Sequence, residues 1–389
     1  MFATALSFAF VSCNKDLPQA EPIKVFDEVG PTITEILNGT NYTFLKAAVT
    51  RANLTALLSD RTARFTFFAP DDAAFQASGI PSIAAINSMR PGQLDTLLRY
   101  HLVGGQEYDS ARISSAFPNM YLQSMFVLQA PSATLPPGLR MPIFPSKRGT
   151  NLWVNNIPIL QPNIDAANGV VHRVARVVAP PQRFLWNRID TDPDLTYLKA
   201  AIQRADEGVP AASTLQGALQ NAAANLTVFA PSNAAFQALL TAMITQALVA
   251  QGMDPVTANA TATALASSPT VFTHPSVAPV ITPTMVRGII AYHILGVRAF
   301  SVNMPTAATA VPTLLNGSIA NHPGVTLQAT FGTSGVTAAT VKGVANSTAS
   351  NIAINPTPDN PASAAQTGTS DQHFINGVLH KIDQVLRPQ

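Results

Sequence analysis

A chain of 389 residues with 47% hydrophobic and 11% charged residues has material for two or three packed domains, which excludes a wholly disordered polymer. The formal net charge is +2 with Lys and Arg scattered, so no basic face for nucleic acid is expected. The single cysteine, Cys13, excludes an internal disulfide and a cysteine-based zinc site.

Cys13 follows an apolar stretch, Met1 to Val11, and the small residue Ser12. Phe8-Ala9-Phe10-Val11-Ser12-Cys13 resembles the end of a bacterial lipoprotein signal, although no Lys or Arg precedes the stretch. The run is too short to span a bilayer and fits a signal-peptide core. The expectation is a signal peptide over residues 1–12, lipid attachment at Cys13 and a polar, proline-containing tether over 13–24. That places the protein in a bacterial cell envelope, held by lipid, with the outer membrane favoured. Further along, Ala235 to Ala250 is apolar but interrupted by Gln237, Thr241, Thr245 and Gln246, and is expected to be an amphipathic or buried helix.

Four segments recur in the same order. Thr43-Phe44-Leu45-Lys46-Ala47-Ala48-Val49 matches Thr196-Tyr197-Leu198-Lys199-Ala200-Ala201-Ile202, 153 residues on. Phe68-Ala69-Pro70 and Ala73-Ala74-Phe75-Gln76-Ala77 match Phe229-Ala230-Pro231 and Ala234-Ala235-Phe236-Gln237-Ala238, 161 on. Tyr100-His101 matches Tyr292-His293, 192 on, and Asn168-Gly169-Val170 with His172 matches Asn376-Gly377-Val378 with His380, 208 on. The chain is therefore duplicated, with domains over 25–181 and 186–389 separated near Pro180-Pro181. The growing offset predicts insertions in the second copy, near 241–279 and 301–370, laid on the surface as specificity elements or mobile decoration.

Each segment has a local reading. In the first, Leu45, Ala48 and Val49 repeat at helical spacing, as do Leu198, Ala201 and Ile202. The second is a strand, Phe65 to Phe68 or Leu226 to Phe229, that ends at a proline and enters a helix. There Asp71 or Asp72, and Ser232 or Asn233, can cap the following helix. In the third, Leu94, Leu97, Leu98 and His101 stand at i, i+3, i+4 and i+7 behind Pro91, as Val286, Ile289, Ile290 and His293 do behind Pro283. Both histidines are expected to be core residues bonded to backbone groups. In the fourth, Asn168-Gly169 and Asn376-Gly377 suggest tight primed hairpin turns with positive φ at both residues.

Together these residues resemble the fasciclin domain family, whose first motif is similar to Phe65–Phe75 and Leu226–Phe236. Its tyrosine–histidine pair is similar to Tyr100-His101 and Tyr292-His293, and its closing motif to Asn168–Pro180 and Asn376–Pro388. The resemblance implies an α+β fold: two modules, each a wedge-shaped β-sandwich flanked by short helices. It also implies a non-enzymatic cell-envelope adhesion or extracellular interaction protein, without a cofactor. The partner would be an extracellular protein or polysaccharide, with the membrane engaged through the lipid anchor. The alternative is a glycan- or small-ligand-binding accessory lipoprotein of a nutrient-uptake system, which a deep cavity lined by Trp153, Trp186 or Tyr121 would favour. No Gly-x-Ser-x-Gly elbow, phosphate-binding Gly-Lys-Ser/Thr loop or His-Glu-x-x-His helix is present, and His274, His322 and His373 lack ligand spacing.

Overall fold

A computed structural model describes residues 29–129, 138–333, 335–355, 360 and 367–389. The signal peptide, Cys13 and the tether lie outside the described residues.

The first copy begins with three short helices, Ile33–Ile36, Thr43–Arg51 and Thr55–Ser59. Strand β1 (Phe65–Pro70) follows, then helices Asp72–Ala77, Ile83–Ser88 and Pro91–Tyr100. Seven strands complete it: β2 (Leu102–Gly104), β3 (Leu122–Gln129), β4 (Leu139–Ile143), β5 (Pro145–Arg148), β6 (Asn151–Val154), β7 (Ile157–Ala166) and β8 (Gly169–Val174). The sheet order is β4-β3-β2-β1-β8-β7-β6-β5, antiparallel except for β1 beside β8.

Alternation along β1 divides the copy into two cores. Phe65, Phe67 and Ala69 face the helices and pack with Leu45, Val49, Phe75, Leu94 and Leu98. Phe68 faces the other way and shares a second core with Val103, Leu122, Ile143, Val154, Ile159 and Val174. Strands from both ends of the sheet feed that one core, so the sheet folds over upon itself.

The second copy repeats this plan. Helices Leu185–Thr191, Thr196–Ala205 and Leu215–Ala218 lead to β9 (Leu226–Pro231). Two longer helices, Asn233–Ala250 and Pro255–Leu265, then precede Pro283–Tyr292. The strands are β10 (Ile294–Leu295), β11 (Thr309–Val311), β12 (Val325–Gly332), β13 (Gly335–Lys342), β14 (Ser350–Ile352), β15 (Gln372–Phe374) and β16 (Gly377–Ile382). Their order is β10-β9-β16-β14-β13-β12-β11, with β15 on β16 and β9 parallel to β16. Both copies are thus α+β, each a nearly closed sheet with flanking helices.

Helix Asn233–Ala250 is long and apolar enough to cross a membrane by length and composition. It buries Ala235, Phe236, Leu240 and Ile244 within the second domain's helical core. One expectation needs correcting. Residues 301–352 are not a surface insertion, because they supply β11 to β14. Val311, Val325, Leu327, Val341 and Ile352 pack in the second sheet's interior. The Ala- and Thr-rich composition reads as decoration, yet alternation of small apolar and hydroxyl residues is what a two-faced strand needs.

The two copies pack on each other. Phe144 and Trp153 of the first meet Phe300, Val302 and Val378 of the second. Around them, Phe300 N–H donates to Asn119 Oδ1 (3.2 Å), Asn303 Nδ2 to the Ala116 carbonyl (3.2 Å) and Arg148 Nη2 to the Met304 carbonyl (2.6 Å).

Candidate functional site

The tyrosine–histidine pairs stand where a helix hands the chain to a short strand, at the seam between the two cores. His101 is the C-cap of Pro91–Tyr100, and His293 that of Pro283–Tyr292. Both imidazoles are fully buried. His101 Nδ1 donates to the Leu97 carbonyl (2.8 Å), while Nε2 accepts the Val178 N–H (2.8 Å). His293 repeats this with the Ile289 carbonyl (2.8 Å) and the Leu386 N–H (2.8 Å). These partners select the neutral Nδ1–H tautomer. Burial pushes each histidine down to about 4, against the opposing pull of the Leu97 or Ile289 carbonyl.

The tyrosine before each histidine turns into the sheet interior. Tyr100 hydroxyl donates to the Pro142 carbonyl (3.1 Å) and accepts Asn155 Nδ2 (3.3 Å). Tyr292 hydroxyl donates to the Gly324 carbonyl (2.6 Å) and accepts the Val344 N–H (3.0 Å). Burial raises the pKa of both phenols, disfavouring ionisation. Such a tyrosine is held protonated at neutral pH and offers no phenolate.

The second matched histidines complete the pattern in the opposite tautomer. His172 Nδ1 accepts the Asn163 N–H (3.3 Å) and Nε2 donates to the Tyr108 carbonyl (2.8 Å). His380 does the same with the Asp371 N–H (3.2 Å) and the Ala299 carbonyl (2.8 Å). Their rings lie on Phe68 and Phe229, centroids 5.5 and 5.9 Å apart. All four imidazoles therefore spend both nitrogens on backbone groups, leaving no lone pair for a metal or a substrate proton.

The asparagine–glycine motifs act differently from the turn reading. In both hairpins the two turn residues precede the glycine: Ala167-Asn168 and Ile375-Asn376 lie between the closing pairs Ala166–Gly169 and Phe374–Gly377. Asn168 is buried and not in the left-handed region. Its Oδ1 accepts the Ile33 N–H (2.9 Å) and its Nδ2 donates to the Leu58 and Asp60 carbonyls (2.9 and 3.1 Å). Asn376 clamps the Leu185 N–H (3.0 Å) and the Ala218 carbonyl (3.5 Å) in the same way. The glycines are needed for close approach. A Cβ at Gly169 would stand 2.1 Å from the Phe65 carbonyl oxygen, and one at Gly377 2.5 Å from that of Leu226.

The paired polar residues after each first strand divide their labour. Asp71 and Ser232 cap the helix that follows them, through Ala74 N–H (2.8 Å) and Ala235 N–H (3.2 Å). Asp72 and Asn233 instead cap the earlier matched helix, through Phe44 N–H (2.8 Å) and Tyr197 N–H (3.1 Å). That second role has no local sequence signal, since its partners lie 28 and 36 residues away.

Two features were not anticipated from sequence. Arg298 is fully buried at the contact between copies, its guanidinium 4.7 Å from the Phe144 ring centroid and bonded to His373 Nε2 (2.8 Å). A cavity of about 1030 Å³ also opens in the second domain, lined by none of Trp153, Trp186 and Tyr121. No cluster of three His, Cys, Asp or Glu that could hold a metal occurs among the described residues.

These arrangements define a tandem pair of sheet-and-helix modules whose matched polar side chains secure backbone. The fasciclin domain profile matches residues 40–180 and 207–388. The chain belongs to the fasciclin domain family. It is 30% identical over 151 residues to the pig transforming growth factor-beta-induced protein ig-h3, covering 39% of this chain and 19% of that one. It is 33% identical over 155 residues to protein sll1483 of Synechocystis, covering 39% of this chain and 74% of that one. Thus it spans about a fifth of the first relative and about three quarters of the second. Among solved structures, a FAS1 domain pair from the insect cell adhesion molecule fasciclin I aligns over 88% of this chain and 95% of that one, with 13% identity and a TM-score of 0.33. Fasciclin domains are associated with adhesion or extracellular interaction.

Proposed function

We propose that this protein is a non-enzymatic adhesion or interaction protein of a bacterial cell envelope, held by lipid at Cys13 and presenting its two fasciclin domains to an extracellular protein or polysaccharide. The observation that carries the reading is the use of the matched histidines, tyrosines and asparagines. Every one is buried in bonds that fix backbone, so recognition falls to the exposed loops and helices. The packing of Phe144 and Trp153 against Phe300 and Val302 supports display of the two domains as one unit. The test is a binding screen of residues 23–389 against arrays of matrix proteins and polysaccharides, run beside His101→Ala as a stability control. Specific, saturable binding to one class supports the role. A folded protein that binds nothing on either array would end it. Anchoring is separately checked by fractionation: Cys13→Ala is expected to move from the membrane pellet to the soluble fraction, and a variant that stays in the pellet removes the lipid.

A further inference from the structure

Helix Pro283–Tyr292 and its counterpart Pro91–Tyr100 bury the same stripe but carry different outer faces. Gln93, Asp95, Thr96 and Arg99 cover the first, with Arg99 Nε bonded to Asp95 at 2.8 Å. The matching positions, 192 residues on, are Met285, Arg287, Gly288 and Ala291. Of that polar face only Arg287 keeps a charge, and Met285, Gly288 and Ala291 now line the cavity of about 1030 Å³.

The walls are equally particular to this copy. Helix Asn233–Ala250 extends well beyond the six residues of its counterpart Asp72–Ala77, and the extension contributes Leu239 and Met243. Leu314 and Ile319 also line the cavity. Ile319 remains 51% exposed. Unbranched or γ-branched side chains dominate, and the aromatic ring in the lining is the His322 imidazole, already bonded to the Pro388 carbonyl and the Gly324 N–H. That composition suits a flexible alkyl chain, because Leu and Met adapt their shape, and it includes no Phe, Tyr or Trp of the kind on which a sugar ring stacks.

Two guanidiniums share the lining. Arg287 is neutralised by Asp206 (3.0 Å) and also donates to the Ser213 carbonyl (2.7 Å). Arg387 bonds through Nη2 to a carbonyl, that of Ala345, and has no carboxylate partner among the described residues. It retains N–H donors in a forked arrangement that matches a carboxylate.

We propose that this cavity binds one long-chain fatty acid, its alkyl chain on the Met285–Gly288 floor and its carboxylate at Arg387. The test uses the whole delipidated chain and a dansyl-labelled undecanoic acid as fluorescent probe, displaced by palmitate. One saturable site per chain is expected, with methyl palmitate competing about tenfold more weakly than palmitate because it lacks the anionic head. Gly288→Phe fills the floor and is expected to weaken the probe by about tenfold or more, whereas Thr96→Phe at the matching position of the first domain leaves it unchanged. Circular dichroism checks folding, and Met243→Lys replaces Gly288→Phe should that variant fail to fold. The proposal is overturned by a folded protein without saturable binding, by equal binding to the folded cavity variant, or by a signal that appears only with phosphatidylglycerol vesicles, which reports adsorption to a surface.

Discussion

His101 Nε2 accepts the Val178 N–H at 2.8 Å, tying the closing segment beyond β8 to the C-terminus of a helix 77 residues earlier. His293 and Leu386 repeat the tie over 93 residues. A ring that bridges two buried backbone groups cannot be removed without stranding both. Each of His101→Ala and His293→Ala is expected to cost about 2–4 kcal/mol, from unpaired backbone groups plus a cavity. Urea unfolding midpoints of the two variants against the parent protein measure it, and a loss under about 0.5 kcal/mol would contradict the assignment.

Acid should act through the same rings. His101 and His293 are held near 4 in the fold, below the ordinary 6.5, and burial also lowers His172, His373 and His380. The unfolded chain therefore binds more protons than the folded one below 6.5. The stability these neutral rings confer is complete above pH 6.5 and drains away as pH falls through about 4. For His101 and His293 the full loss is about 3 kcal/mol each. The lowered carboxylates Asp192 and Asp383 act in a separate window, below 3.8. Chemical denaturation at pH 7, 5.5 and 4.5 should show a steep decline between the last two, and a flat profile would refute the neutral-imidazole bonding.

The asparagine clamp separates side-chain bonding from turn geometry. Asn168→Ala removes three hydrogen bonds to Ile33, Leu58 and Asp60 while leaving the turn free to form. The expected cost is about 2–4 kcal/mol, dominated by buried groups left unpaired. Asn168→Asp keeps the acceptor for Ile33 but faces two carbonyls with a carboxylate, so it is expected to be no better. Gly169→Ala would push a methyl into the Phe65 carbonyl and break the parallel β1–β8 pairing. Thermal melts of the three variants rank these effects, and an Asn168→Ala protein as stable as the parent would restore the turn reading.

Where residue spacing carries the information, the sequence is readable. Leu94, Leu97 and Leu98 bury as one stripe, and Phe65, Phe67 and Ala69 alternate with Phe68 across β1. The duplication also exposed both histidine pairs, because each chain segment tests the other. Asn-Gly misled, since the pair is equally consistent with a primed turn and with a clamp followed by a close-packed glycine; only the partners at Ile33 and Leu58 distinguish them. Arg298 and His373 were invisible for another reason. Their matching positions in the first copy are Gln106 and Asp165, so neither belongs to a repeated motif. The cavity was hidden likewise, because it arises from what differs between Pro91–Tyr100 and Pro283–Tyr292.

The contact between domains yields the last prediction. Arg298 is a buried cation without a carboxylate partner among the described residues, and burial lowers it to about 10. Its charge is met by the Phe144 ring face, by His373 Nε2 and by the Phe374 and Ile375 carbonyls (3.4 and 3.2 Å). Phe144 comes from the first domain and the other three from the second. Phe144 also packs against Phe300 in a tilted contact and His373 in a T-shaped one, at centroid distances of 5.9 and 6.4 Å. Phe144→Ala therefore withdraws the first domain's share of the cation's surroundings and empties the centre of the interface. The second domain keeps its own core of Phe229, Val325, Leu327 and Val341, and so has the means to stay folded. The expected result is a loss of about 3–5 kcal/mol from the coupled pair, with a single calorimetric transition splitting into two. Small-angle scattering should show the variant with a larger radius of gyration than the parent at equal concentration. A variant that still melts in one transition with unchanged scattering would mean that the hydrogen bonds from Phe300 to Asn119 and from Arg148 to Met304 suffice to hold the domains together.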